Sequence, residues 1–227
     1  DRESGWFSVS SRQQGIQVQH AAGRIVLSVP VSPVPVEPVP DLVGEMMDAD
    51  TAYRELSQLG LNYGPAFRAL TSVSRSDGRT VARAKLPLEV IDDLARYTWH
   101  PVLTDVAFQT LALASNKVAD GRTFMPVAVT EGGVSGNLPA EVMIYATVSD
   151  GDNSDEIRGD ITLTDLEGHQ LMRISGCRAR DVRAGTGAYP VDYVGMEWIP
   201  QESSGHPSGE VPSCIVLGAS ETAVRLE

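Results

Sequence analysis

The stretch WHPVLTDVAFQTLALAS, residues 99–115, is almost entirely apolar, yet it carries one carboxylate and one amide. Pro101 suits the first turn of a helix, where its missing N–H group would have no partner. Because the run is apolar on every side, it predicts a buried helix rather than a surface one. Asp105 and Gln109 stand four residues apart, so both side chains lie on one face of that helix.

A carboxylate on a buried helix is costly unless it is paired or neutral. Apolar surroundings raise the pKa of Asp105, whereas the nearby helix N-terminus lowers it. If burial dominates, Asp105 is protonated near neutral pH and acts as a general acid, with Gln109 fixing its orientation. The alternative is that Asp105 caps the start of the helix and Gln109 points into a polar gap. The D-x-x-x-Q pattern alone leaves both interpretations open.

Strands surround this helix in the sequence. TSVSRSDGRTVARAKLP, residues 71–87, predicts two strands joined through Asp77 and Gly78, a typical hairpin turn. Four more strands are predicted after the helix, in the segments FMPVAVTEGGVSG, AEVMIYATVSD, EIRGDITLTD and HQLMRISGCRARDVR. A long apolar helix followed by antiparallel strands predicts an α+β fold in which a sheet wraps around a buried helix.

The chain divides into four predicted segments. Residues 1–29 contain two strands around a turn near Gln14, and two strands alone cannot bury a face, so they look like the tail of a larger unit. Residues 30–47 are rich in proline and predict an extended linker. Residues 48–185 hold the main domain, which opens with a short surface helix capped by Asp48 or Asp50 and stopped at Gly60. Residues 186–227 predict a linker and the first strand of a following domain.

Composition excludes several functions. The formal net charge is -12, which argues against nucleic acid and anionic membranes as partners. No apolar run approaches the roughly 20 residues of a membrane span, and no signal peptide is visible. Two distant cysteines, Cys177 and Cys214, fit reduced thiols in a cytoplasmic protein. No metal-binding motif is present, so no metal site is expected.

Three segments together resemble a known family. LGLNYGPAFRAL, HPVLTDVAFQTLAL and DLEGHQLMRISGCRARDV, in this order, resemble the second half of the dehydratase domain of polyketide synthases. HAAGRI, before the prolines, is similar to the end of that domain's first half. The resemblance implies the second hotdog of a double hotdog, with residues 1–29 as the tail of the first hotdog and residues 30–47 as the connection. Residues 186–227 look like the passage into a ketoreductase-like structural region.

The same resemblance implies an activity. Such a dehydratase eliminates water from a β-hydroxyacyl chain carried on the phosphopantetheine of an acyl carrier protein, which gives an α,β-enoyl thioester without a further cofactor. By motif match Asp105 is the general acid and Gln109 its orienting partner. The implied partners are the acyl carrier protein, the neighbouring ketoreductase region and a second copy of the chain in a homodimer of the parent synthase.

Four further residues of the matching motifs are expected to bind substrate. Tyr63 and Pro65 belong to the Y-G-P-A-F motif, and His100 and Thr104 to the H-P-x-L-x-D motif. Thr104 stands where the family usually has leucine. Its hydroxyl either shifts the pKa of Asp105 or caps the first helical turn.

One departure from the family concerns the catalytic base. The family's histidine lies in an H-x-x-x-G-x-x-x-x-P motif of the first half, and none of the four histidines here has that pattern. The chain is then either a piece whose base-bearing part lies upstream or a degenerate half. Two other functions stay open: a non-catalytic structural module of the synthase, and double-bond isomerisation or cyclisation on the same fold.

A basic cluster is the candidate for carrier-protein docking. RISGCRARDVR, residues 173–183, holds four arginines, and in a strand Arg178 and Arg180 point to the same side. Because carrier proteins of such systems are usually acidic and this chain is acidic too, docking needs a local positive patch. The alternative is an edge strand whose charges discourage aggregation.

Overall fold

The structure is a computed structural model that describes residues 4–13, 16–26, 44–115, 122–135, 137–150 and 155–181. Its helices are α1 (Ala49–Gln58) and α2 (Pro101–Ala114), and short 3-10 turns span Pro65–Phe67 and Ile91–Arg96. Its strands are β1 (Ser4–Gln13), β2 (Ile16–Val26), β3 (Glu45–Asp48), β4 (Leu70–Ser76), β5 (Arg79–Lys85), β6 (Phe124–Ala128), β7 (Glu131–Val134), β8 (Glu141–Asp150), β9 (Glu156–Thr164) and β10 (Gln170–Asp181).

The main sheet has eight strands in the order β3-β4-β5-β8-β9-β10-β6, with β7 also paired to β10. The pairings in this sheet are antiparallel. The predicted hairpin of β4 and β5 forms, with Asp77 and Gly78 both at positive φ in its turn. Strands β1 and β2 form a separate two-stranded antiparallel sheet, as predicted for this segment.

Helix α2 lies at the centre of the core, as its composition predicts. It begins at Pro101, as predicted, and its apolar side chains pack against the inward-facing residues of β5, β8 and β9. The fully buried members on the helix are Leu103, Val106, Ala107, Leu113 and Ala114, and those on the sheet are Ala84, Val142, Ile144, Ile161 and Leu163. Sheet and buried helix together make the α+β hotdog architecture that was predicted.

The helix and the sheet approach each other very closely at one glycine. A methyl group on Gly159 of β9 would collide with the carbonyl oxygen of Thr147 on β8 and with the Leu111 side chain on α2. Glycine is therefore required here by space rather than by backbone conformation. The helix and the two strands therefore pack closely at this position.

Helix α1 packs on the same core through one face. Asp48 caps it, with its side chain accepting a hydrogen bond from the Thr51 N–H group at 2.8 Å. Ala52, Tyr53 and Leu56 are buried, so the predicted surface helix is amphipathic and closes one side of the domain.

Two predicted boundaries were wrong. The proline-rich linker was predicted to run to residue 47, but Glu45 already begins β3, which pairs with β4. A four-residue strand is too short to show a periodic pattern, and its pairing partner decides its structure. The segment FMPVAVTEGGVSG was predicted as one strand but forms β6 and β7. Strand β7 pairs with residues 172–175 of β10 and β6 with residues 178–181, so the two short strands share one long neighbour.

Several predictions fall outside the described residues. They concern most of the proline-rich linker, the turn at Gln14, and the whole of residues 186–227 with Cys214. Within the described ranges, no helix is long and apolar enough to span a membrane. The same part of the chain contains no cluster of histidine, cysteine, aspartate and glutamate suited to a metal ion.

Candidate active site

One stripe of α2 is left open by the sheet. Pro101 is exposed, and Asp105, Phe108 and Ala112 are only partly buried, whereas the rest of the helix is buried. The spacing of these four positions follows one side of a helix. Asp105 therefore lies on the accessible side of an otherwise buried element.

The predicted pair of Asp105 and Gln109 is in contact. Gln109 Nε2 donates a hydrogen bond to Asp105 Oδ2 at 2.8 Å. The same nitrogen donates to the main-chain carbonyl oxygen of Phe67 at 3.0 Å, and Gln109 Oε1 accepts from the Tyr53 hydroxyl at 3.1 Å. Gln109 is only 1% exposed, so these three bonds satisfy a buried amide that would otherwise be costly.

The environment favours the protonated form of Asp105. Burial raises the pKa of this carboxyl group above its usual value, and the hydrogen bond from Gln109 opposes that rise. Burial therefore outweighs the hydrogen bond from Gln109 in setting the direction of this pKa shift. Asp105 Oδ1 has no hydrogen-bond partner within the part of the chain that the structure describes. The carboxyl group can thus hold a proton and present it toward the open stripe.

The Y-G-P-A-F motif forms the loop beside this pair. The Tyr63 ring lies edge-on to the Tyr53 ring, with centroids 6.1 Å apart. The pKa of Tyr63 is raised, first by burial and then by the negative charge of Asp105, which places its hydroxyl within the electrostatic reach of the acid. Pro65 is exposed and begins the 3-10 turn whose last residue is Phe67. The structure thus brings Tyr63 and the turn of Pro65 to the predicted pair.

His100 and Thr104 occupy the first turn of α2. His100 caps the helix, with Nδ1 accepting from the Val102 N–H group at 3.3 Å. Burial lowers the pKa of His100, which favours the neutral ring that this acceptor role requires. The Thr104 hydroxyl donates to the His100 carbonyl oxygen at 3.3 Å, so it bonds within the turn. Both residues are largely buried, with exposures of 2% and 6%, and their role in substrate binding stays a prediction.

Sequence reasoning missed Tyr53 as part of the site. Tyr53 lies on α1, and its side chain is buried. Its hydroxyl reaches Gln109, a residue 56 positions away. Burial of a tyrosine on a packed stripe was the available signal, since a buried phenol hydroxyl usually has a hydrogen-bond partner.

An apolar groove continues the open stripe of α2. Its walls include Phe108 and Ala112, one and two turns beyond Asp105, and residues from the end of α1 and from β6. The other main apolar contributors are Leu59, Leu61, Phe124 and Pro126. The cavity volume of the groove is about 20 Å³, and Asp105 is not among its lining residues.

Comparison with curated proteins finds synthases of polyketides. The chain is 28% identical over 230 residues to the polyketide synthase GfsB of Streptomyces halstedii, covering 96% of this chain and 4% of that protein. It is 32% identical over 118 residues to the squalestatin hexaketide synthase of Phoma sp., covering 51% of this chain and 5% of that protein. The chain thus spans a small part of the length of these relatives.

Solved dehydratase domains share the fold. The dehydratase from the CurF module of curacin polyketide synthase superposes with a TM-score of 0.69 at 24% identity, covering 78% of this chain and 64% of that one. The dehydratase domain of RzxB from Pseudomonas fluorescens gives a TM-score of 0.68 at 18% identity, covering 79% and 65%. These likenesses establish a hotdog fold.

A family model extends over most of the described domain. It matches residues 32–188 and is described as the polyketide synthase dehydratase N-terminal domain. The matched range contains α2, the Y-G-P-A-F loop and all eight strands of the main sheet. With the fold, the motifs and this match in agreement, the chain belongs to the polyketide synthase dehydratase family.

Proposed function

We propose that this chain supplies the general acid of a dehydratase that removes water from a β-hydroxyacyl chain carried on an acyl carrier protein. The observation that carries the proposal is the state of Asp105: it lies on the open stripe of α2, burial raises its pKa, and Gln109 holds one of its oxygens. A carboxyl group so placed donates a proton rather than holding a cation.

In the proposed reaction a base takes the proton from the α-carbon, and the electron pair of that C–H bond forms the α,β double bond. The β-carbon–oxygen bond breaks, and Asp105 transfers its proton to the leaving hydroxyl, which departs as water. Asp105 becomes a carboxylate, and the N–H group of Gln109 stabilises the new charge on Oδ2. Two inactive mutants of the similar CurK dehydratase replace an aspartate by asparagine and a histidine by phenylalanine, which are the residue types that this scheme pairs.

The assignment of this chain to the second half of a dehydratase domain is part of the proposal. Although the matching family model is described as an N-terminal domain, the acid-bearing helix and the Y-G-P-A-F loop support the second hotdog of a double hotdog. The base would then come from a histidine of the first hotdog. On the same grounds we place a ketoreductase region beyond residue 185, and a second copy of the chain in a homodimer of the parent synthase.

The first prediction follows from placing the general acid on this chain and the base on the first hotdog. The 227-residue chain alone is expected to form no enoyl thioester from a β-hydroxyacyl thioester, because it carries no H-x-x-x-G-x-x-x-x-P motif. The chain joined to a base-bearing first hotdog is expected to be active. Product formation is followed by mass spectrometry as loss of water from the acyl group.

Each other outcome selects a different function. Enoyl formation by the chain alone would show that one of its own residues is the base. Inactivity of the joined protein would favour the structural module. A product isomeric with the supplied enoyl or hydroxyacyl substrate would favour isomerisation or cyclisation.

We also propose that Arg178 and Arg180 on β10 receive the acyl carrier protein. Arg180 lies 3.7 Å from Glu156, which also binds Arg158 at 2.9 Å. Arg158 and Arg180 thus share the nearly buried carboxylate of Glu156 across β9 and β10. Arg178 lies opposite Arg158 in the same strand pairing, so basic side chains gather on this face of a chain of net charge -12. A local positive patch can attract an acidic partner despite overall repulsion.

The second prediction tests this patch. The double variant Arg178→Glu with Arg180→Glu is expected to slow dehydration of the carrier-bound substrate by about tenfold or more. The salt dependence of that reaction should also become weaker, because charges at the edge of an interface mainly affect the rate of association. A short thioester mimic without the carrier protein should react at the unchanged rate. The matched control is Arg79→Glu with Lys85→Glu, which changes the same charge at exposed positions of β5. Equal effects on both substrates, or none, would make the cluster an ordinary charged face.

A further inference from the structure

The amide of Gln109 is fixed from two sides. The Phe67 carbonyl oxygen can only accept, so the Gln109 atom facing it at 3.0 Å must be the nitrogen. On the opposite side, the Tyr53 hydroxyl donates to Oε1 at 3.1 Å. A flipped amide would set two oxygens against each other beside Phe67. Gln109 therefore presents an N–H group, and never its oxygen, to Asp105.

Tyr53 is in turn fixed by the main chain. Its hydroxyl oxygen accepts a hydrogen bond from the Leu70 N–H group at 3.0 Å, at the start of β4. Its single proton has two acceptors, Gln109 Oε1 at 3.1 Å and the Phe67 carbonyl oxygen at 3.3 Å. The Arg68 guanidinium stacks over the Tyr53 ring at 4.6 Å. Tyr53 thus joins the backbone of β4 to the side chain that holds the acid.

This chain of bonds also determines the position of the acid proton. Asp105 Oδ2 is occupied as an acceptor by Gln109 Nε2, so a protonated Asp105 carries its hydrogen on Oδ1. Oδ1 is the oxygen without a hydrogen-bond partner among the described residues. A proton held on Oδ1 is available to a substrate, whereas one on Oδ2 would face the N–H group of Gln109, which cannot accept it.

We propose that Tyr53 is a positioning residue that holds the Gln109 amide, so that the transferable proton of Asp105 resides on Oδ1. This inference rests on the proposed general-acid role of Asp105. Among the described residues, Tyr53 on α1 and Tyr63 in the loop are titratable groups that interact with Asp105. Arg68, which pairs with Asp50, lies over the Tyr53 ring. Both tyrosines have a raised pKa, chiefly through burial, with that of Tyr53 at about 12, so both are neutral through the range in which Asp105 titrates.

The third prediction uses the variant Tyr53→Phe, which keeps the buried ring and removes the hydroxyl. Gln109 Oε1 then loses its donor, and the amide no longer holds Asp105 Oδ2 firmly. Since the bond from Gln109 lowers the pKa of Asp105, we expect that pKa to rise. Carbon-13 NMR of labelled aspartate carboxyls measures it directly in the 227-residue chain, whatever the chain's activity. Gln109→Leu should raise the same pKa, and the double variant should raise it no further than Gln109→Leu alone.

In the active dehydratase, Tyr53→Phe is expected to lower kcat by about tenfold, a part of the whole general-acid effect, with KM nearly unchanged. The high-pH limb of the pH–rate profile, where Asp105 loses its proton, should move to higher pH. The matched control is Tyr145→Phe on β8, a partly buried tyrosine outside this network. An unchanged pKa of Asp105 in Tyr53→Phe, or additive effects in the double variant, would overturn the inference. A shifted pKa together with unchanged turnover would leave the network intact and refute the general-acid role instead.

Discussion

Replacing Asp105 by asparagine is expected to lower dehydration by about 10²–10⁴-fold, the usual contribution of a positioned general acid. Asparagine has nearly the same shape and can still accept the hydrogen bond that Gln109 donates to Asp105. It cannot deliver a proton to the leaving hydroxyl. Turnover of a β-hydroxyacyl thioester by the active dehydratase measures the loss.

A stability measurement distinguishes this loss of turnover from one caused by unfolding. The pKa of Asp105 is raised in the folded chain, so the folded state binds its proton more tightly than the unfolded state does. Stability from this group is therefore full below its unfolded pKa and falls as pH rises through the folded pKa. Asparagine cannot ionise, so Asp105→Asn removes this loss of stability at higher pH. The Tm of the variant at neutral pH should therefore equal or exceed that of the wild type.

The matched control is Asp92→Asn, the same chemical change at an exposed position of the Ile91–Arg96 turn. It should retain full turnover. Turnover of Asp105→Asn within a few-fold of the wild type would remove Asp105 from the mechanism. Loss of turnover with a strongly lowered Tm would instead indicate a structural role for the carboxyl group.

The second large effect is expected in stability. Leu103 on α2 has 0% exposure, and Leu103→Ala should lower the free energy of unfolding by about 2–5 kcal/mol, because it removes buried methyl groups and leaves a cavity. Denaturant unfolding of the chain measures this loss. Leu88→Ala is the control, since Leu88 is 85% exposed, and it should change stability by no more than about 0.5 kcal/mol. Similar values for the two variants would mean that α2 is not the centre of the core.

Local chemistry in the sequence was enough to predict the elements nearest the site. The apolar run with Pro101 predicted α2, and the turn at Asp77 and Gly78 predicted the hairpin of β4 and β5. The spacing of Asp105 and Gln109 predicted a shared face. Each of these features depends on residues within about one helical turn or one hairpin, where short-range geometry decides the structure.

Features that depend on distant partners were not predicted. Strand β3 pairs with the edge of β4, and β6 and β7 pair with different parts of β10. The contact of Tyr53 with Gln109 joins α1 to α2 across 56 positions. No pattern within one segment contains such information, because it depends on how the elements pack.

The carbonyl oxygen of Phe67 affects how the site tolerates sequence change. It is a main-chain atom, so no side-chain substitution at position 67 can delete it, although the Phe67 side chain itself is 40% exposed. A substitution of the Phe67 side chain that keeps the backbone in place therefore leaves this support of Gln109 intact. A substitution that alters the path of the backbone, as at Pro65 with its fixed φ at the start of the turn, would move the acceptor. Among related chains, the turn should accordingly be more constrained in its backbone shape than in the identity of its outermost side chain.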